Sequence, residues 1–225
     1  MSEPYTPTMT EPSPLEAIVF DMDGTLVESQ AVIPAAYIAT VSSLGGRRYS
    51  PAEVVEAYSI GPPPALLTHL LGRPATQDDL ERYYLRLADG ADGICVYPGI
   101  EEALAALVGV VPLAVFTGAS LRACRLLMEQ TGLAGYFDTL VGADEVPHPK
   151  PAPDGILLAC ERLGARPEAS AYVGDAPIDL LAARRAGTLA VAAGWGHQFA
   201  SDEPADLVLA EPGDLVALIQ GFTDA

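Results

Sequence analysis

Short, almost wholly apolar runs recur along this chain, and most stop at a polar residue or a glycine. Ala17-Ile18-Val19-Phe20 runs straight into Asp21, and similar runs lie at Pro112–Thr117, Thr139–Gly142, Ala171–Gly174, Leu189–Ala193 and Leu207–Leu209. A strand that is apolar at successive positions must be covered on both faces, as in a parallel sheet. Between the runs, apolar residues take helical spacing at Ile100–Val108, Ser120–Thr131, Ala152–Leu163 and Pro177–Ala186. Strand and helix alternate, so the pattern predicts an α/β fold: a doubly wound parallel sheet with helices on both faces.

The stretch 28–95 breaks this rhythm and offers no convincing strand. Ser29–Leu44 has helical periodicity, Ser50-Pro51-Ala52-Glu53 reads as a capping box with Pro at the first helical position, and Thr76 opens a further helix before Leu80–Leu87. Gly45-Gly46 and Gly61-Pro62-Pro63-Pro64 punctuate the segment. The expected organisation is a catalytic core from 15–27 and 96–225 with a helical cap inserted at 28–95. Residues 1–14 are polar and Pro-rich, with neither a basic nor an apolar leader region, and read as a disordered lead-in. The longest near-apolar stretch, Ala103–Phe116, is too short to cross a membrane and is broken by Gly109 and Pro112.

Composition narrows the function. The chain has 225 residues, half of them hydrophobic, enough for a sizeable core. Twelve basic residues against 30 acidic ones give a net charge of −18, which argues against nucleic-acid binding. An anionic substrate would have to be met by local positive charge. Lys150 is the only lysine, the other basic residues being arginine, so a lysine inside a motif is a candidate for a role. Cys95, Cys124 and Cys160 lack metal-ligand spacing and suit a reducing, cytoplasmic setting, and the scattered His69, His148 and His197 indicate no zinc site.

The acidic residues gather after the predicted strands, where ligands bind in such folds. Asp21-Met22-Asp23-Gly24-Thr25 places two carboxylates two residues apart; on an extended chain they share a side. One can attack phosphorus while the other protonates the leaving oxygen and then activates water. Like charges beside a phosphate need a cation, and Mg²⁺ with oxygen ligands fits. Gly174-Asp175-Ala176-Pro177-Ile178-Asp179 adds an acid facing the metal and a supporting one on the next helix. Thr117-Gly118 supplies a hydroxyl and backbone N–H groups before a helix, and Lys150 a point charge for phosphate. Each piece alone has a bland reading as a turn, a helix cap or a surface residue. Their joint order at one sheet edge does not.

That order, strand–DxDGT, strand–TG, Lys before a helix and strand–GDxxxD, resembles the haloacid-dehalogenase superfamily of phosphohydrolases. The match covers Ala17–Leu26 and about Tyr97–Leu209. The resemblance implies that Asp21 is the nucleophile forming an aspartyl-phosphate and Asp23 the general acid/base. It implies that Thr117 and the Gly118 amide bind phosphate and that Lys150 bridges phosphate to the nucleophile. Mg²⁺ would be held by the Asp21 carboxylate, the Asp23 main-chain carbonyl and Asp175, with Asp179 supporting. The insertion point resembles the helical-cap branch. Ile60-Gly61-Pro62-Pro63 and Gly194-Trp195-Gly196-His197 are similar to phosphoglycolate-phosphatase-like members. Gly118 stands where the family often has Asn, and His148-Pro149 precedes Lys150 where small residues are commoner.

A dehalogenase needs only the first Asp, and a phosphonate hydrolase of this superfamily needs a cap lysine, which 28–95 lacks. The expected activity is therefore Mg²⁺-dependent hydrolysis of a small phosphorylated metabolite. A sugar phosphomutase shares the motifs and cap type and is the alternative, followed by a non-catalytic metabolite-binding module. Among the cap arginines, Arg47 and Arg48, after the Gly-Gly break, are the candidates to meet an anionic substrate group.

Overall fold

The computed structural model describes residues 15–220, so the predicted lead-in at 1–14 lies outside the described residues. The first strand, β1 (Ala17–Phe20), is completely buried and occupies the middle of a six-stranded sheet. A two-residue strand β2 (Val27–Glu28) leads out of the core into α1 (Val32–Ser43), α2 (Pro51–Glu56), α3 (Pro63–Leu71) and α4 (Gln77–Gly90), and β3 (Cys95–Val96) leads back. There follow α5 (Ile100–Leu107), β4 (Leu113–Phe116), α6 (Leu121–Gln130), β5 (Thr139–Val141), α7 (Asp154–Leu163), β6 (Ser170–Gly174), α8 (Pro177–Ala186), β7 (Leu189–Ala193), β8 (Leu207–Leu209) and α9 (Ala217–Gln220).

The large sheet runs β5-β4-β1-β6-β7-β8 with every described pairing parallel. Successive strands move outward from β1 to β4 and β5; the chain then crosses back to place β6 on the other flank of β1. This reversal leaves a crevice at the carboxyl ends of β1, β4 and β6, where an open α/β sheet binds ligands. Side-chain alternation explains why the strands are apolar at every position. Ile18, Phe20 and Val115 pack into one layer with Leu104 of α5 and Leu127 of α6, while Val19, Phe116 and Tyr172 pack into the other with Ile156 of α7 and Leu180 of α8.

The insertion is helical, as the pattern indicates, with two differences. β2 and β3 form an antiparallel ribbon, Val27 opposite Val96 and Glu28 opposite Cys95, where the sequence offered no strand. Two residues per strand are too few to show alternation, and the pairing is imposed by the chain leaving and re-entering the core at one place. The Pro62-Pro63-Pro64 run, read as punctuation, starts α3: Pro62 is its extended cap and Pro63 its first residue. Proline is tolerated there because a first-turn N–H has no intrahelical partner to lose. The capping boxes at Ser50 and Thr76 are both formed. No described helix is long and apolar enough to cross a membrane.

Candidate active site

Backbone bonds carry the sheet one residue past its strands and fix two side chains. Asp21 N donates to Val173 O at 2.8 Å and Thr117 N to Val141 O at 3.1 Å. Beyond Asp21 the chain turns: Leu26 N reaches Met22 O at 2.9 Å, and Gly24 adopts φ +86°, a conformation glycine takes without strain. Space demands glycine here as well, since a Cβ on Gly24 would stand 2.3 Å from the Asp175 carboxylate.

Lys150, from the loop after β5, is the centre of the arrangement. Its Nζ donates to Asp21 Oδ1 at 2.6 Å and Asp179 Oδ1 at 2.7 Å, and lies 3.3 Å from the Tyr172 hydroxyl. Asp179 also accepts from Ala176 N at 3.1 Å, capping α8, so one carboxylate both starts a helix and holds the lysine. Tyr172 donates to Phe116 O at 3.0 Å from within β6. Asp175 accepts from Gln198 N at 2.8 Å through Oδ2, while its buried Oδ1 has no hydrogen-bond partner. Carboxylate oxygens of Asp21, Asp175 and Asp179 lie within 4.8 Å of one another, and all three residues are buried. Asp23 engages different partners: Ser29 donates to its Oδ1, and the Thr117 hydroxyl lies 3.5 Å from its Oδ2.

Burial pushes the Asp21 carboxyl well above the carboxylate range; Lys150 opposes this, and Asp179, Asp23 and Asp175 reinforce it. Burial likewise raises Asp23, against the hydrogen bond from Ser29 and the Lys150 charge. Burial lifts Asp175 to about 6, the Gln198 amide pulling the other way. For Lys150, burial disfavours the ammonium, but Asp179 and Asp21 outweigh it and hold its pKa well above the usual lysine value. The common cause is a buried cluster of carboxylates with a single ammonium among them, which favours added positive charge.

Asp21, Lys150, Asp175 and Asp179 are thus brought together, with Asp23 and Thr117 beside them. Gly118 is exposed next to Thr117, with nothing within 4 Å of where a Cβ would stand, so a side chain would fit there. Arg47 and Arg48 are not among the groups touching these acids. Arg47 is paired with Glu53 and lies over the Tyr49 ring, its side chain 65 % exposed, and Arg48 is exposed. Sequence reasoning missed Ser29 and Tyr172. Tyr172 had a signal: a hydroxyl-bearing ring in an otherwise apolar strand, three residues before Asp175.

The family model for haloacid dehalogenase-like hydrolases matches residues 15–187, spanning β1 through α8. The chain belongs to the haloacid dehalogenase-like hydrolases. It is 36% identical over 188 residues to a probable phosphatase, IndB, of Dickeya dadantii, covering 80% of this chain and 81% of that one. It is 34% identical over 220 residues to a phosphoglycolate phosphatase of Chromobacterium violaceum, covering 92% and 97%. The crystal structure of CbbY from Rhodobacter sphaeroides in complex with phosphate superposes with a TM-score of 0.79 at 26% identity, covering 92% of this chain and 99% of that chain. The match to the family extends on both sides of the 28–95 insertion and includes every acid of the cluster.

Proposed function

We propose that this hydrolase is a Mg²⁺-dependent phosphatase acting on a small phosphorylated metabolite, by way of an aspartyl-phosphate on Asp21. The observation that carries the reading is the buried Lys150 held between Asp21 and Asp179, with an unpartnered Asp175 oxygen in the same carboxylate cluster. The donor set is all oxygen and negatively charged, which fits a hard divalent cation. Asp21, Asp175 and the Asp23 main-chain carbonyl would hold Mg²⁺, with Asp179 supporting through Lys150. When bound, the ion neutralises charge on the phosphate and on the carboxylate that approaches it.

The remaining steps belong to this chain's own side chains. The Thr117 hydroxyl, the backbone N–H groups that follow it and Lys150 hold the substrate phosphate. Lys150 occupies one oxygen of Asp21, leaving the other to attack phosphorus. Asp23, held by Ser29 and beside Thr117, gives its proton to the leaving oxygen as the P–O bond breaks. Its raised pKa suits it to carry that proton. The resulting Asp23 carboxylate takes a proton from the water that attacks the Asp21 phosphoryl group, releasing phosphate and restoring both residues. The helices of 28–95 act as a cap over this edge, excluding water during the first transfer. A small soluble substrate suits such a cap, and the phosphoglycolate phosphatase relative supports that size class.

The test is phosphate release from a panel of small phosphate esters, with Mg²⁺ and with EDTA, for the parent and Asp21→Asn. Release that needs Mg²⁺ and disappears in Asp21→Asn is expected, and the best ester names the substrate class. A sugar phosphate converted to its isomer without phosphate release would instead establish a mutase. A folded parent that neither releases nor moves phosphate would refute the catalytic reading.

A further inference from the structure

The loop 194–198, between β7 and β8, touches the site, β2 and the residue that follows β3. Trp195 Nε1 donates to Thr25 O at 2.9 Å, pinning the loop to the turn that carries Asp21 and Asp23. Gly196 lies so close beneath the site that a Cβ on it would stand 2.2 Å from Asp175 Cβ and 2.4 Å from Gly24 O. The amide of Gln198 fixes Asp175 Oδ2, which leaves Oδ1 as the oxygen without a partner. Between these contacts, His197 turns the other way. Its imidazole is 18 % exposed, with Nδ1 3.5 Å from the Tyr97 hydroxyl and 3.8 Å from Glu28 Oε2. Tyr97 itself donates to Glu28 Oε2 at 3.0 Å, closing a triangle across the exit and re-entry of the insertion. Glu28 belongs to β2, and Tyr97 follows β3 directly.

We infer that the 194–198 loop is a positioning element that ties the orientation of the Asp175 carboxylate to the ribbon carrying the cap, with His197 as the residue joining the two. This rests on the proposed Mg²⁺ site and goes beyond it: the contacts of His197 run to Tyr97 and Glu28, its charge lies near enough to be felt at Asp23 and Asp175, and through the loop it sets how Asp175 is presented. Two anchors act on one short loop. Trp195 and Gly196 hold it to the nucleophile turn, and His197 holds it to the ribbon. A displaced ribbon therefore moves the Gln198 amide and with it the carboxylate. Partners that orient a ligand from outside the metal's own shell are worth about 10–100-fold in metal affinity. His197 acts one link further out, so the lower end applies.

Trp195 is the chain's single tryptophan and sits in this loop, so its emission reports on it directly. The experiment is a titration with Mg²⁺ alone, read by Trp195 fluorescence and, in parallel, by the Mg²⁺-dependent rise in melting temperature. It compares the parent, His197→Ala, His197→Gln, Tyr97→Phe, Gly196→Ala and Asp175→Asn. The expected result is a Mg²⁺ midpoint about tenfold higher in His197→Ala, a smaller increase in Tyr97→Phe, and partial recovery in His197→Gln, with metal-free melting close to the parent's. Midpoints equal to the parent's in His197→Ala and Gly196→Ala would overturn the inference. A shift in His197→Ala with none in Tyr97→Phe would overturn its link to the ribbon. A parent that binds no Mg²⁺, like Asp175→Asn, would instead overturn the metal site and this inference with it.

Discussion

Replacing Lys150 with methionine keeps most of the side-chain volume and removes the one ammonium in the acid cluster. It donates at 2.6 Å to Asp21 and at 2.7 Å to Asp179, and the three side chains are 6%, 7% and 1% exposed respectively. Removing one partner of such a buried pair costs about 3–5 kcal/mol, because the charge left behind keeps its desolvation penalty. At about 2–4 °C per kcal/mol for a chain of this length, the loss in melting temperature is about 10 °C. Protonation limits the penalty, and its sign follows from Asp21. Lys150 is the group that lowers the Asp21 pKa against burial and the neighbouring acids. Without it the folded-state pKa of Asp21 climbs further above the unfolded value. A carboxyl raised in this way contributes stability at low pH, below its unfolded pKa, and that stability is lost as pH rises through the folded pKa. The deficit of Lys150→Met is therefore smaller at pH 5 than at pH 8. Thermal melts in EDTA, followed by circular dichroism at both pH values, measure it. Adding Asp21→Asn to the variant should recover part of the loss at pH 8, since the stranded charge is gone. A Lys150→Met protein that melts with the parent at pH 8, or loses as much at pH 5, would refute the account of Lys150 as the counter-charge.

In the proposed metal site Mg²⁺ would compete with a proton at Asp175, whose carboxyl burial lifts to about 6. Only the ionised form is a ligand, so apparent Mg²⁺ affinity should fall as pH drops through that value; affinity unchanged from pH 8 down to pH 5 would remove Asp175 from the metal site. On the far side of the cap, Arg122 of α6 forks onto Glu81 of α4 at 2.5 and 2.7 Å and lies 4.1 Å over the Tyr84 ring, while Tyr84 meets Ser120 at 2.9 Å. These contacts join α4 of the insertion to the start of α6, and under the proposed mechanism they would favour a closed cap. The ion pair is half exposed and worth about 1 kcal/mol at most, so Arg122→Ala should raise KM by up to about fivefold while kcat holds or rises. A KM equal to the parent's would show that the pair does not govern closure.

How much of this was legible in the sequence depends on the range of the interaction that decides each feature. The long strands were legible because burial on both faces forces apolar residues at every position, and Ile18, Val19 and Phe20 show it within three residues. The β2–β3 ribbon was not, because Val27–Glu28 and Cys95–Val96 owe their pairing to the closure of an insertion, and no local pattern encodes that. The acids were legible because their placement follows from strand ends, which the apolar runs mark. Their partners were less so. Ser29 lies outside the motif whose Asp23 it contacts, and Tyr172 is hidden in a strand whose other residues are apolar. Arg47 shows the opposite limit: its position after Gly45-Gly46 advertises an exposed cation, but Glu53 in the next helix claims it. Motifs fixed by backbone geometry can therefore be read residue by residue, whereas the groups that tune them arrive from segments as distant as Glu28, Tyr97 and His197. Under the proposed mechanism metal affinity would rest in part on those long-range contacts, so chains that share its DxDGT and GDxxxD motifs could differ in it without changing a motif residue.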